Sequence, residues 1–253
     1  MAQDTHILYG FRPLTEAMDQ GKTIDKVFIQ KGLQGPQFKE VFFLIRQNKI
    51  PFQYVPLEKL NKFTRGNHQG IVAFISAIEY HSIYDIVPHI YEEGKVPFLL
   101  ILDKITDVRN IGAIARSAEC AGVDAIILPL KGGAQLNEDA VKSSAGALNK
   151  IPVCRHSNLV EVIQYLQDSG ITVVSVTEKS SAYYFEQDMT MPLCFIMGNE
   201  YEGIAFEYLK KSDSSVKIPM TGTIESLNVS VATGIVLFEA VKQRNYLPLE
   251  NKS

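Results

Sequence analysis

The sequence predicts an α/β protein in which a parallel sheet covered by helices on both faces follows a smaller α/β domain. Three observations carry that reading. From Phe98 onward, short apolar runs recur at Phe98–Leu102, Ala125–Leu128, Ile171–Val176, Leu193–Met197 and Val216–Ile218, with helical segments between them. Runs apolar on both faces and alternating with helices indicate buried parallel strands. Before Phe98 the pattern is different, with short apolar strands set between amphipathic helices. Charge changes along the chain as well. Through Ile75, ten Lys and Arg stand against six Asp and Glu, a balance of +4; the remainder carries fifteen against twenty-two, a balance of −7. The expected organisation is a first domain over residues 1–76, a connection with a short helix over 77–95, and a second domain over 96–253.

In chain order, His6–Gly10 leads into a helix over Pro13–Gln20, with proline near its first turn. Lys26–Ile29 reads as a strand, Phe38–Gln47 as an amphipathic helix, and Phe52–Val55 and Gly70–Ile75 as further strands. The intervening L-E-K-L-N-K-F-T-R-G-N-H-Q-G reads as a loop in which Lys59, Lys62, Arg65 and His68 surround an aromatic residue and two glycines. Basic side chains supply phosphate contacts, and backbone exposed at glycine lets a nucleic-acid strand approach. The same residues also suit an ordinary solvated loop. Ile83, Ile86, Val87 and Ile90 repeat at helical spacing after Ser82, which places the short helix of the connection.

Composition narrows the function classes. A chain of 253 residues is long enough for one large domain or two modest ones, each able to bury its own core. Hydrophobic content is 46% with mean hydropathy near zero, and no apolar run approaches the roughly 20 residues that span a bilayer. Met1–Asp4 lacks the features of a secretory signal, so a cytoplasmic protein without a membrane partner is expected. Cys120, Cys154 and Cys194 are widely separated among apolar neighbours and read as small core residues. The histidines at 6, 68, 81, 89 and 156 form no ligand pattern, so no metal is expected. Neither a G-x-G-x-x-G after an early strand nor a G-x-x-x-x-G-K-[ST] is present, which removes the two commonest phosphate loops.

Three stretches begin where a predicted strand ends, the edge at which parallel sheets hold ligands. The first, Asp103–Pro129, reads D-K-I-T-D-V-R-N-I-G-A-I-A-R-S-A-E-C-A-G-V-D-A-I-I-L-P; the second, Leu193–Gly203, reads L-C-F-I-M-G-N-E-Y-E-G. The third, Lys217–Arg244, reads as a short strand, a turn at Gly222 and a helix capped near Ser226, opened by Ser226 and Asn228. Free N–H groups at a helix start suit an oxygen-rich ligand, although a plain cap explains the same residues. In the first stretch Asn110 suits a helix cap. Ile111, Ile114, Ala115 and Ala118 form the apolar stripe of the following helix, and Arg116 points off it.

Together, N-x-G-A-x-x-R-S-A, G-x-E-x-x-G and I-P-M-x-G-x-x-x-S-L-N-V-S-V-A resemble, in order and spacing, the three motifs of the SpoU (TrmH-type) branch of the SPOUT methyltransferases. Residues 8–75 look like the RNA substrate-binding domain often fused ahead of such catalytic domains, with G-N-H-Q-G-I-V-A similar to its closing strand. The resemblance implies a SPOUT domain with a deep trefoil knot, a homodimer with its interface beside the active site, S-adenosyl-L-methionine as cofactor and methylation of a ribose 2′-hydroxyl in RNA. It points to Asn110, Arg116, Glu200, Ser226 and Asn228 as catalytic residues, and to Gly198, Ile218 and Leu227 as cofactor-binding residues acting largely through backbone groups. Glu200 is expected to orient Arg116 or a backbone amide. The family's first motif commonly carries D-P-x-N, where this chain has Asp107-Val108-Arg109-Asn110. The pairing with a front domain is most similar to bacterial 23S rRNA guanosine 2′-O-methyltransferases. A tRNA guanosine 2′-O-methyltransferase is the alternative within the family, and a non-catalytic RNA-binding or ribosome-assembly protein is the alternative outside it.

Overall fold

The computed structural model describes residues 7–134, 136–224 and 226–246. His6 lies outside them. By its contacts the chain divides into two units, one of residues up to 79 with 135–137, the other of residues 80–134 and 138 onward.

The first unit is built from β1 (Ile7–Tyr9), α1 (Phe11–Asp19), β2 (Ile24–Gln30), α2 (Pro36–Gln47), β3 (Phe52–Val55), α3 (Leu57–Phe63) and β4 (Ile71–Ile75). Its sheet runs β1-β4-β2-β3, antiparallel except for the parallel β2–β3 pair at one edge. Because side chains alternate across a strand, one face of the sheet packs Val27, Ile29, Ile71 and Ala73 against Leu14 of α1 and Phe38, Val41 and Ile45 of α2. The other face packs Phe28 and Val72 against Leu60 of α3. The segment read as a basic loop is thus helical from Leu57 to Phe63, since Leu57, Leu60 and Phe63 fall at a helical spacing with Leu60 fully buried.

The second unit contains β5 (Tyr80–His81), α4 (Ile83–Glu92), β6 (Phe98–Asp103), α5 (Val108–Cys120), β7 (Ala125–Pro129), α6 (Glu138–Ser143), β8 (Val153–His156), α7 (Leu159–Asp168), β9 (Thr172–Val176), β10 (Leu193–Gly198), α8 (Phe206–Lys211), β11 (Ser214–Val216) and α9 (Val229–Asn245). The seven strands order as β11-β9-β10-β6-β7-β8-β5, and every recorded pairing is parallel. Two strands went unread. β8 mixes Arg155 and His156 into its apolar run, and β5 is only two residues long. The last strand ends at Val216 rather than at Ile218. Residues 80–92, within the stretch read as a connection, belong to this unit: β5 pairs with β8, and Ile83, Val87 and Ile90 of α4 are buried in its core.

That core joins α4 and α7 to Leu99, Ile101, Ile127, Val173 and Ile196 on one face of the sheet. The alternate residues Leu100, Leu102, Ile126 and Phe195 are buried too, on the side where α9 meets β10 and α5. Cys154 and Cys194 are core residues, as read, whereas Cys120 ends α5 in an exposed position. None of the described helices is long and apolar enough to cross a membrane, and no cluster of three metal-ligating side chains occurs among the described residues.

Candidate active site

Four strands of the second sheet, β11-β9-β10-β6, present their carboxyl ends side by side, and the loops that leave them carry all three motifs. Short polar side chains fix those loops. Asp103, the last residue of β6, is 1% exposed; its Oδ2 accepts the Ala205 N–H at 2.8 Å, tying the end of the loop after β10 to the neighbouring strand. Burial holds its carboxyl above the usual carboxylate range, against the opposing pull of that N–H. Oδ1 has no hydrogen-bond partner among the described residues. Within the same loop, Asn199 Oδ1 accepts the N–H groups of Tyr201 (2.8 Å) and Glu202 (2.7 Å), an Asx turn that projects Glu200 and Tyr201 outward. The end of the loop folds back so closely that a Cβ on Gly198 would overlap the backbone of Gly203 and Ile204. The glycine is therefore required by the approach of its own loop.

Helix starts are set by residues next to those expected. Asp107, not Asn110, caps α5, accepting the Arg109 N–H at 2.8 Å; Asn110 is the third residue of the helix, within its first turn. Asn228, not Ser226, caps α9, its Oδ1 accepting the Ser230 N–H at 2.9 Å. The first shift frees the Asn110 side chain for a contact across the site, and at α9 the capping Asn228 reaches across with its remaining amide nitrogen. Asn110 Nδ2 donates to Glu200 Oε1 at 2.8 Å, Asn228 Nδ2 donates to the same oxygen at 2.9 Å, and Asn228 Nδ2 also reaches Asn110 Oδ1 at 3.1 Å. Glu200 thus gathers two side-chain amides rather than Arg116 or a backbone amide. Three residues that the sequence separates by up to 118 positions meet here.

A cleft of about 290 Å³ opens beside this cluster, lined by Gly198, Glu200, Ile218, Ser226 and Leu227 among others. Ile218 and Leu227 are half-buried, Ser226 exposed. Arg116 is not among the lining residues. It is exposed on α5 and makes no hydrogen bond or ion pair with another described residue. Six residues separate it from Asn110, which is about 9 Å along the axis and about 120° round it. Within one chain, then, four of the five candidate catalytic residues share the cleft or its rim and the arginine stands apart.

Sequence reading missed Asp103 and Asn199, and it missed Thr177, Glu178 and Lys179, which form the cleft wall after β9. The signals were a carboxylate closing an apolar run, an Asn two residues before an exposed turn, and a polar triplet at another strand's carboxyl end.

The basic candidates of the first unit separate into two kinds. Lys59, Lys62 and Arg65 are exposed, with the Lys59 Nζ also 5.4 Å from the centre of the Phe28 ring. His68 is buried at 8% exposure. Its Nδ1 accepts the Gly70 N–H at 3.0 Å and its Nε2 faces Asn61 Oδ1 at 3.0 Å. With both ring nitrogens engaged, His68 holds the turn into β4 and has none free for phosphate, a correction to its expected role.

Comparison with known proteins agrees with these features. Residues 97–238 match the SpoU rRNA methylase family, and residues 7–81 match the RNA 2′-O ribose methyltransferase substrate-binding family. A TrmH family tRNA/rRNA methyltransferase of Staphylococcus saprophyticus is 35% identical over 241 residues, covering 95% of this chain and 97% of its own. The AdoMet-bound rRNA methyltransferase of Sinorhizobium meliloti superposes with a TM-score of 0.60 at 27% identity, over 96% of this chain and 88% of that one. The TrmH/SpoU tRNA modifying enzyme of A. aeolicus matches with a TM-score of 0.54 at 29% identity, over 64% of this chain and 83% of its own. With both of its units matched and nearly its whole length shared with a relative, the chain belongs to the SpoU (TrmH-type) family of S-adenosylmethionine-dependent RNA 2′-O-ribose methyltransferases.

Proposed function

We propose that the protein methylates the 2′-hydroxyl of a guanosine in 23S rRNA, as a cytoplasmic homodimer whose catalytic domain carries a trefoil knot. The observation that carries the site assignment is the Asn110–Glu200–Asn228 cluster on the rim of the cleft at the carboxyl ends of adjacent parallel strands. Coverage supports the rRNA substrate: the rRNA methyltransferase of S. meliloti matches both units, whereas the A. aeolicus tRNA modifying enzyme matches 64% of this chain.

The cleft suits S-adenosylmethionine. Ile218, Leu227, Val229 and Ala232 offer apolar walls to an adenine, and the carboxylates of Glu178, Glu200 and Glu202 favour a cationic ligand. When bound, the cofactor supplies an electrophilic methyl group on a sulfonium. The backbone of Gly198, Ile218 and Leu227 reads the adenine edge. Ser226 and Asn228 hold the ribose at the start of α9, and Glu200 fixes the amides of Asn110 and Asn228. A ribose hydroxyl is a very weak acid, so positioning and stabilisation of the developing oxyanion carry most of the rate. A guanidinium stays charged in proteins, which makes Arg116 a clamp for the target phosphate and a stabiliser of the oxyanion rather than a base. Its distance from the cluster within one chain fits delivery from the partner protomer.

The test is methyl transfer from labelled S-adenosylmethionine to rRNA and, separately, tRNA from a strain lacking the gene, followed by digestion to nucleosides. Label in 2′-O-methylguanosine from rRNA is expected. Label only in tRNA overturns the substrate, and an Arg116→Lys variant with nearly full single-turnover activity overturns the planar, two-pronged role of the arginine.

A further inference from the structure

The first unit carries a second surface suited to RNA, on the opposite face of its sheet from α3. Helix α2 sends Phe38, Val41 and Ile45 into the core. On its outer side Lys39, Phe42, Phe43 and Arg46 fall three and four residues apart and so share one stripe. Phe43 is 66% exposed, and Lys39 and Arg46 are exposed on either side of it. Phe42 continues the aromatic surface onto β3, with ring centres 5.1 Å from Phe52 and 6.4 Å from Tyr54. Tyr54, on this edge strand, is 44% exposed. A shallow groove of about 540 Å³ lies among Phe38, Phe42 and Phe43, with Lys39 and Arg46 on its border.

Folding does not account for this surface. A phenylalanine left 66% exposed at mid-helix gains little from burial, and neither Lys39 nor Arg46 has an ion-pair partner among the described residues. Glu40 lies about 100° round the helix from Lys39, and β3 carries no acidic residue. Aromatic rings alternating with unpaired cations are the elements of single-strand binding: rings stack on bases of any sequence while cations meet phosphates. A protein partner would use the same rings, but this stripe and the +4 balance through Ile75 call for a polyanion.

We propose that α2 and the edge strand β3 form a stacking platform for unpaired nucleotides of the RNA substrate. Phe43 and Tyr54 face bases. Lys39 and Arg46, about 10.5 Å apart along the helix axis, grip flanking phosphates. The proposal rests on the reading of the chain as an RNA methyltransferase and not on which RNA it modifies.

The experiment uses the full chain and a fluorescein-labelled ten-nucleotide oligoadenylate, with an abasic ribose-phosphate decamer as control, read by anisotropy over a salt series. The double variant Phe43→Ala/Tyr54→Ala is expected to lose about tenfold or more in affinity for oligoadenylate and little for the abasic chain. Phe43→Trp is expected to keep or improve it. Lys39→Ala/Arg46→Ala is expected to weaken both probes and lower the salt slope by roughly 1 to 2. Calorimetric binding of S-adenosylmethionine and the circular dichroism spectrum should be unchanged in all variants, which separates failure of the platform from failure of the fold. Equal oligoadenylate affinity in wild type and the Phe43→Ala/Tyr54→Ala variant overturns the proposal, as does self-association through this face without an effect on RNA. If rRNA proves not to be the substrate while the stacking variant still loses oligoadenylate, the platform stands and only the substrate assignment falls.

Discussion

Asn228 has two tasks that substitution can separate. Its Oδ1 caps α9 through the Ser230 N–H, and its Nδ2 holds Glu200 and Asn110. Serine caps about as well as asparagine, whereas alanine in place of a good cap costs about 1 kcal/mol. A hydrogen bond to a charged group contributes about 1.5 to 3 kcal/mol when sheltered. Asn228 and Glu200 are exposed, so solvent reduces this one to at most about 1 kcal/mol. Asn228→Ala should thus lose about 2 kcal/mol of stability and Asn228→Ser about 1 kcal/mol or less, by denaturant unfolding. Activity should not follow that order. Either variant frees Glu200 and Asn110 to shift, and in a reaction carried by positioning a shift of about 1 Å costs on the order of 100-fold. Both should lose about 10- to 100-fold in the rate of methyl transfer at saturating cofactor. An Asn228→Ser variant that methylates RNA at nearly the wild-type rate would show that Asn228 only caps the helix, and the role given to the cluster would fail.

Gly198→Ala drives a Cβ into the backbone of Gly203 and Ile204, which cannot yield as a side chain would; S-adenosylmethionine binding should disappear from calorimetry along with the loop's geometry. Asp103 is held above the usual carboxylate range by burial, so its unfavourable ionisation sets in as pH rises past the ordinary aspartate pKa of about 3.9; the melting temperature of Asp103→Asn relative to wild type should rise with pH from there and level once pH has passed the raised native value. Arg244 donates to the carbonyls of Met189, Met191, Pro97 and Val96 and stacks at 4.5 Å on Phe98; one lysine ammonium cannot reach them all, and Arg244→Lys should cost roughly 2 to 4 kcal/mol in denaturant unfolding. Val108 is the first residue of α5, where proline is favoured, and Asp107 before it is already extended; Val108→Pro should raise stability by about 0.4 to 1 kcal/mol without loss of activity.

The parallel sheet was legible because its central strands are buried on both faces, so β6, β7, β9 and β10 are written as largely apolar runs, as a sheet covered by helices on both faces requires. β8 was not, because Arg155 and His156 near the sheet's edge dilute the pattern. α3 was hidden by its neighbourhood: Leu57, Leu60 and Phe63 carry the helical spacing, but the lysines and the following T-R-G-N suggested a loop. Caps were legible as a type and not as a position. Asp107 and Asn110, or Ser226 and Asn228, are both capable residues within one turn, and only the exit angle of the chain decides between them. His68 illustrates the converse limit. Its place beside lysines and arginine suggested phosphate binding, whereas its burial depends on Asn61 and Gly70 being folded around it.

The candidate residues divide by how firmly they are held, and that division bears on mechanism. Asp103 pins Ala205, Asn199 pins Tyr201 and Glu202, and the Asn110–Glu200–Asn228 contacts join the helices after β6 and β11 to the loop after β10. Asp103, Asn110, Asn199 and Asn228 are short side chains with few rotamers to lose, and Glu200 is held by two of them, so these contacts form without a ligand and little reorganisation is left to the reaction. Arg116 has a long side chain and no hydrogen-bond or ion-pair partner among the described residues, and ordering it costs up to about 2 kcal/mol. Under the proposed role of Arg116 as a phosphate clamp, that cost would be met when the guanidinium engages RNA, and RNA itself would complete the site. On that reading the amides of Asn110 and Asn228 are in place without RNA and the cation is not, so methyl transfer to water in the absence of RNA would be slow.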